Sequence, residues 1–169
     1  MQIYYPIVFL GVVAAGGVWT GTNPSYTSTE LVHHFKVSNC KFVLTEPGEG
    51  MFKIIQDAAI TSGIKNENII IFDILSQFSS PLLAGFKSWK TLLSHGEQDW
   101  VRFNNLEECK NTTAALMFSS GTTGIPKAAM WSHYNLIAQH TLVHEHVEVP
   151  WEVCDEVVIA LIDLANINR

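Results

Sequence analysis

The chain has 169 residues, 47% hydrophobic and 15% charged, which fits a globular domain with a sizeable core and excludes a disordered chain. Ten Lys and Arg against sixteen Asp and Glu give a net charge of −6, which argues against a general affinity for nucleic acid. Cys40, Cys109 and Cys154 are scattered with no CxxC pair, so a disulfide scaffold or zinc site is not indicated and a reducing compartment is expected.

Residues 3–19 carry no charge, a length near the lower limit for a membrane span. Pro6, Gly11, Gly16 and Gly17 interrupt the stretch, and no Lys or Arg precedes it as a signal peptide requires. A helix packed inside an α/β domain is the preferred reading, with membrane attachment as its alternative. Residues 5–15 are expected as that helix, ended by Gly16-Gly17. Val18 to Thr20 is a short strand candidate leading into the turn cluster Gly21-Thr22-Asn23-Pro24. Thr27, Ser28 and Thr29 offer N-caps to a helix over 30–37 that puts Leu31, His34 and Phe35 on one side. By residue type, however, His33-His34 reads as a solvated helix face. A strand over 41–45, a break at Pro47-Gly48, a helix over 51–61 and an apolar strand over 69–72 follow. Such alternation predicts a parallel sheet with helices on its faces. Residues 76–85 read as a loop, 89–93 as a short helical turn, and 96–111 as irregular.

The most informative stretch comes next. Ala114 to Phe118 reads as a short buried strand, and it stops in six consecutive residues that are Ser, Thr or Gly: Ser119, Ser120, Gly121, Thr122, Thr123 and Gly124. The glycines permit turns with φ > 0 and let backbone N–H groups approach a ligand, and the four hydroxyls suit phosphate oxygens. Pro126 stiffens the exit and Lys127 brings a full positive charge. A strand feeding such a loop is a recipe for holding a polyphosphate. A Walker A loop would need Gly before the Lys and Ser or Thr after it; Pro126 and Ala128 stand there instead. The competing reading is a surface turn that happens to be rich in these residues. From Cys109 to His144 there is no Asp or Glu, where an even spread of the sixteen acids would put about three, so the tract suits an anion site.

Residues 128–131 are expected as another strand. Ser132 then caps a helix over 133–146 with Leu136, Ile137, His140 and Val143 at helical spacing, and 157–161 reads as a last buried strand. His140 and His144 lie at i, i+4, but Thr141 occupies the place of the Glu in an H-E-x-x-H motif and no third ligand is evident, so no metal site is assigned. Ser120 as a hydrolase nucleophile would need glycines two places either side; Phe118 and Thr122 stand there.

The gap-free run from Leu116 to Lys127 resembles the signature loop of the acyl-adenylate-forming, or AMP-binding, enzymes. The likeness extends to Ala14-Ala15-Gly16-Gly17, Gly21-Thr22-Asn23-Pro24, Thr29-Glu30-Leu31, Lys41-Phe42-Val43 and Ser132-His133-Tyr134-Asn135-Leu136, and is nearest to the acyl-CoA synthetases and 4-coumarate–CoA ligase-like branch. The resemblance implies an α/β fold, parallel-sheet layers with flanking helices, forming part of the large N-terminal domain of an AMP-forming ligase. It implies activation of a small carboxylic acid with ATP and Mg²⁺, then thioester formation with coenzyme A. Ser119, Ser120, Gly121, Thr122, Thr123, Gly124, Pro126 and Lys127 would bind the phosphates, with Lys127, Thr122 and Thr123 acting in catalysis. The adenine-cradling aromatic-Gly-x-Thr-Glu stretch, the ribose-binding Asp and the small C-terminal domain of the family have no counterpart, and residues 162–169 depart from its pattern. The expectation is therefore one partial ligase domain over 1–169, a cytoplasmic or peroxisomal segment that cannot complete catalysis alone. The alternatives are a non-catalytic fragment that at most binds phosphate and a membrane-attached interaction protein.

Overall fold

The computed structural model describes residues 4–73, 85–119 and 126–146, the side chains of residues 49 and 143–146 excepted. The chain divides into two compact units, one of Met1–Gly21 with Trp100–Arg169 and one of Thr22–Asp99.

In the first unit Pro6 stands in the opening turn of α1 (Tyr5–Ala14), where its missing N–H costs nothing. The helix ends as its glycines require. Gly16 has φ +75°, and the Gly16 and Gly17 amides donate back to the Val13 and Val12 carbonyls. A Cβ on Gly16 would meet the Val101 side chain at 3.0 Å, so this turn needs glycine for both conformation and space. Strand β1 (Trp19–Thr20) follows, with Trp19 edge-on to Tyr5 and Phe9 at centroid distances of 5.3 and 5.9 Å. It pairs in parallel with β5 (Thr113–Ser119), which pairs antiparallel with β6 (Lys127–Ser132). Ala114 and Ala115 are fully buried. Helix α6 (His133–His146) starts where β6 ends, and Ser132 and Asn135 exchange backbone and side-chain hydrogen bonds as its cap. Ile137 and Leu142 on this helix remain exposed.

The second unit is a three-stranded parallel sheet in the order β2 (Val43–Thr45), β3 (Ile69–Ile71), β4 (Lys87–Ser88). Helices α2 (Ser28–Val37) and α3 (Glu49–Thr61) cover it, and a 3₁₀ turn over Asn66–Asn68 leads into β3. Thr27 and Glu30 form a capping box at the start of α2. Leu31, Phe35, Val43, Phe52, Ala58, Ala59, Ile69 and Ile71 make one buried cluster, with Phe52 edge-on to Phe86 at 5.0 Å. A helix between parallel strands β2 and β3 is what their connection demands.

Four expectations need correction. His34 is 1% exposed and belongs to the buried side of α2, not to solvent. The sheets are not wholly parallel, because β5 and β6 form an antiparallel pair. The stretch read as irregular contains α5 (Leu106–Asn111), capped by the Asn105 side chain accepting from the Glu108 amide at 2.7 Å. Strand β4 was not foreseen, whereas α4 (Lys90–Leu93) stands where the short helical turn over 89–93 is expected. The strand expected over 157–161, the tail over 162–169 and all but Gly85 of the loop expected over 76–85 lie outside the described residues. Among the described residues no helix is long and apolar enough to cross a membrane.

Candidate functional site

The hydroxyl-rich loop joins the two antiparallel strands β5 and β6. Their register sets Met117 opposite Ala129, Phe118 opposite Ala128 and Ser119 opposite Lys127. Ser119 and Lys127 are thus the last paired rung of a hairpin, with the seven residues 120–126 between them in the sequence. Ser119 and Pro126 are half-buried and Lys127 is exposed. Lys127 forms no ion pair among the described residues, so its charge is not neutralised by a neighbouring carboxylate there. Ser120, Gly121, Thr122, Thr123 and Gly124 lie outside the described residues, so the structure brings together Ser119, Pro126 and Lys127 of the expected site.

Two features fix the hairpin. Strand β1 braces β5 from its other side, with Thr20 level with Leu116 and its hydroxyl donating to the Leu116 carbonyl at 3.0 Å. Because these strands run parallel, their carboxyl ends, and the connections after Thr20 and Ser119, leave the same edge of the sheet. Ligands of open α/β sheets bind at that edge. Burial raises the Tyr5 phenol pKa beside this strand, opposed by the hydrogen bond with Trp19. At the far end a bulge between Thr113 and Ala115 shifts the register, and the His133 amide donates to the Thr112 carbonyl at 3.1 Å. The His133 ring lies 4.4 Å from that of Phe103, and burial lowers its pKa.

The sequence reading placed Lys127 at the end of a loop. It missed that Lys127 opens a strand whose partner is the strand before the loop. The residue types of Lys127-Ala128-Ala129-Met130 show no polar–apolar alternation, so the sequence carried no local signal for this pairing. Among the described residues no three His, Cys, Asp or Glu side chains come together to hold a metal ion.

A family model described as AMP-binding enzyme matches residues 1–169. The chain belongs to the AMP-binding enzyme family. This AMP-binding chain is 46% identical over 153 residues to the phenylacetyl-CoA ligase epaB of Aspergillus niger, covering 89% of the chain and 28% of that protein. It is 41% identical to the acyl-CoA synthetase ACTT5 of Alternaria alternata, covering 89% of the chain and 26% of that protein. The chain therefore spans about a quarter of the length of these curated relatives. Among solved structures, the red-emitting luciferase of Phrixothrix hirtus matches 89% of the chain and 36% of its own, with a TM-score of 0.70 at 17% identity. The benzoate CoA ligase of Burkholderia xenovorans LB400 matches 86% and 25%, with a TM-score of 0.61 at 19% identity. The fold of the AMP-binding chain, sheets of parallel strands with one antiparallel pair and flanking helices, is that of the N-terminal domain of such adenylate-forming enzymes.

Proposed function

We propose that this chain carries the phosphate-gripping segment of an AMP-forming ligase that joins a carboxylic acid to coenzyme A. The observation that carries this is the hairpin: Ser119 and Lys127 form its last described rung, at the carboxyl edge of the β1–β5 pair, and the Ser, Thr and Gly residues stand between them in the sequence. In the reaction, the carboxylate oxygen forms a bond to the α-phosphorus of ATP, the bond to the bridging β-phosphate oxygen breaks, and pyrophosphate departs. The thiol of coenzyme A then attacks the acyl carbonyl and AMP leaves. Charge builds on the departing pyrophosphate, and donors already aimed at it lower that barrier. Backbone N–H groups of the loop and the hydroxyls of Ser119, Ser120, Thr122 and Thr123 are suited to this, and Lys127 adds a charge-assisted contact. Bound Mg²⁺ would neutralise phosphate charge.

The test is equilibrium binding of ATP to the full chain and to Lys127→Ala. Loss of a charged hydrogen bond predicts weakening of about 10- to 100-fold. Absence of saturable ATP binding by the unaltered chain would overturn the proposal. Pyrophosphate release is measured alongside with ATP, coenzyme A and a panel of acids that includes phenylacetate, given the name of one relative. Tight binding without release above the Lys127→Ala background identifies the second reading, a segment that binds phosphate but does not catalyse alone.

A further inference from the structure

An open pocket of about 390 Å³ lies in the Thr22–Asp99 unit, lined among others by Lys36, Lys41 and Lys65 with Glu67 as its one acid. Three of the ten cations of a chain with net charge −6 therefore line one small concavity. Its position is defined by the fold. Asn39 to Lys41 lead into β2 and Ile64 to Asn68 lead into β3, so the pocket is at the amino-terminal edge of the parallel sheet. That is the edge opposite to the one where such sheets ordinarily hold their ligands.

Lysines near the carboxyl ends of α2 and α3 could simply complement the helix dipoles. Two observations leave that account incomplete. The last-turn carbonyls of His34, Phe35 and Lys36 already accept bonds from the Ser38, Cys40 and Asn39 amides, and those of Ala58, Ala59 and Ile60 accept bonds from Ser62, Ile64 and Gly63. Lys41 and Lys65 also stand beyond the helix ends, on the segments that enter the strands. Their existing partners are weak or neutral: Lys41 donates to the Asn39 side-chain oxygen at 2.8 Å, and Lys65 pairs with Glu67 at 3.5 Å with both side chains largely exposed.

We propose that this pocket is an anion site, separate from the β5–β6 hairpin, that takes a multiply charged phosphate-bearing small molecule. The volume falls within the range of small-molecule sites and exceeds what a halide needs. Three lysines and two asparagines are among the lining residues against the apolar Phe35, Cys40 and Ile64, so charge rather than hydrophobic fit would select the ligand.

The experiment uses inorganic pyrophosphate as probe and the ¹⁵N-labelled full chain carrying Lys127→Ala, so that a response at the hairpin is not mistaken for one here. Sodium chloride at matched ionic strength is the control. The expected result is saturable shifts at the Asn39, Cys40, Gly63 and Asn68 amides. A further Lys36→Gln/Lys65→Gln pair weakens binding at least tenfold, while Lys53→Gln leaves it unchanged. As a measurement that needs no substitution, pyrophosphate should slow alkylation of Cys40, which also lines the pocket, several-fold in the unaltered chain. Shifts that chloride reproduces, an affinity indifferent to the Lys36 and Lys65 changes, or an unprotected Cys40 would each overturn the proposal. Because the pocket would take ATP as well, the ligase reading is tested with Lys36→Gln/Lys65→Gln in place; ATP binding lost there on adding Lys127→Ala bears on the ligase reading alone, so the two fail independently.

Discussion

His34 lies between Leu31 and Phe35 on the inner side of α2, with its ring 6.2 Å from Tyr26 and 6.3 Å from Phe35. Burial, with a smaller contribution from His33, lowers its pKa from 6.5 to about 4. An unfolded chain binds a proton at this residue below pH 6.5, whereas the folded chain does so only below about 4. Between those values the unfolded state holds more protons, so stability falls as pH falls, and below about 4 the contribution levels off. The urea midpoint of the unaltered chain should therefore drop more between pH 7 and pH 5 than that of His34→Gln. Equal drops in the two proteins would refute the assignment, whatever their absolute stabilities. The residue also shows how far a sequence can be read at this scale. Helical spacing put His34 with Leu31 and Phe35, while residue type put it in solvent with His33. Spacing prevailed because an imidazole is small and neutral enough at pH 7 to share an aromatic-lined core.

At the scale of elements, strong local signals gave the right answer and weak ones did not. The N-cap run Thr27-Ser28-Thr29, the Gly16-Gly17 stop and the apolar run over Ile69–Ile71 each combine propensity with pattern, and α2, α1 and β3 stand where those signals put them. Helix α5 was missed because its six residues, Leu-Glu-Glu-Cys-Lys-Asn, carry no apolar stripe. Its cap was legible all the same, since Asn105 three residues before Glu108 is a helix-start signature. Asn105→Ala should cost about 1 kcal/mol, read as a lowered midpoint of thermal unfolding. The neighbouring Asn104→Ala should be near neutral, and equal effects would mean that the cap bond is not what matters. The β5–β6 pairing was hidden for another reason. A seven-residue connection is longer than the tight turns that announce a hairpin, so nothing local tied Lys127 back to Ser119. In the candidate site the residue types were readable, but the rung that closes it was not.

Over the whole molecule the charges present an opposition: a chain of net charge −6 is proposed to hold a polyanion. Long-range repulsion is screened within about 10 Å at 0.1 M salt, so the local arrangement should decide the outcome. The acid-free tract from Cys109 to His144 supplies that arrangement around the hairpin. Ala129 tests it directly, because it is exposed and two residues beyond Lys127 on β6, hence on the same strand face. An Ala129→Asp carboxylate there would oppose a bound phosphate by about 1 kcal/mol at low ionic strength, weakening ATP binding about fivefold. The isosteric neutral Ala129→Asn should leave affinity nearly unchanged. Lys53→Gln gives the chain the same net charge as Ala129→Asp from within the other unit, and it separates local from global electrostatics. If local exclusion of acids is the operative feature, Ala129→Asp alone weakens binding, and 0.5 M salt largely removes the difference. If Lys53→Gln weakens ATP binding as much, the overall field governs affinity and the acid-free tract has no special role.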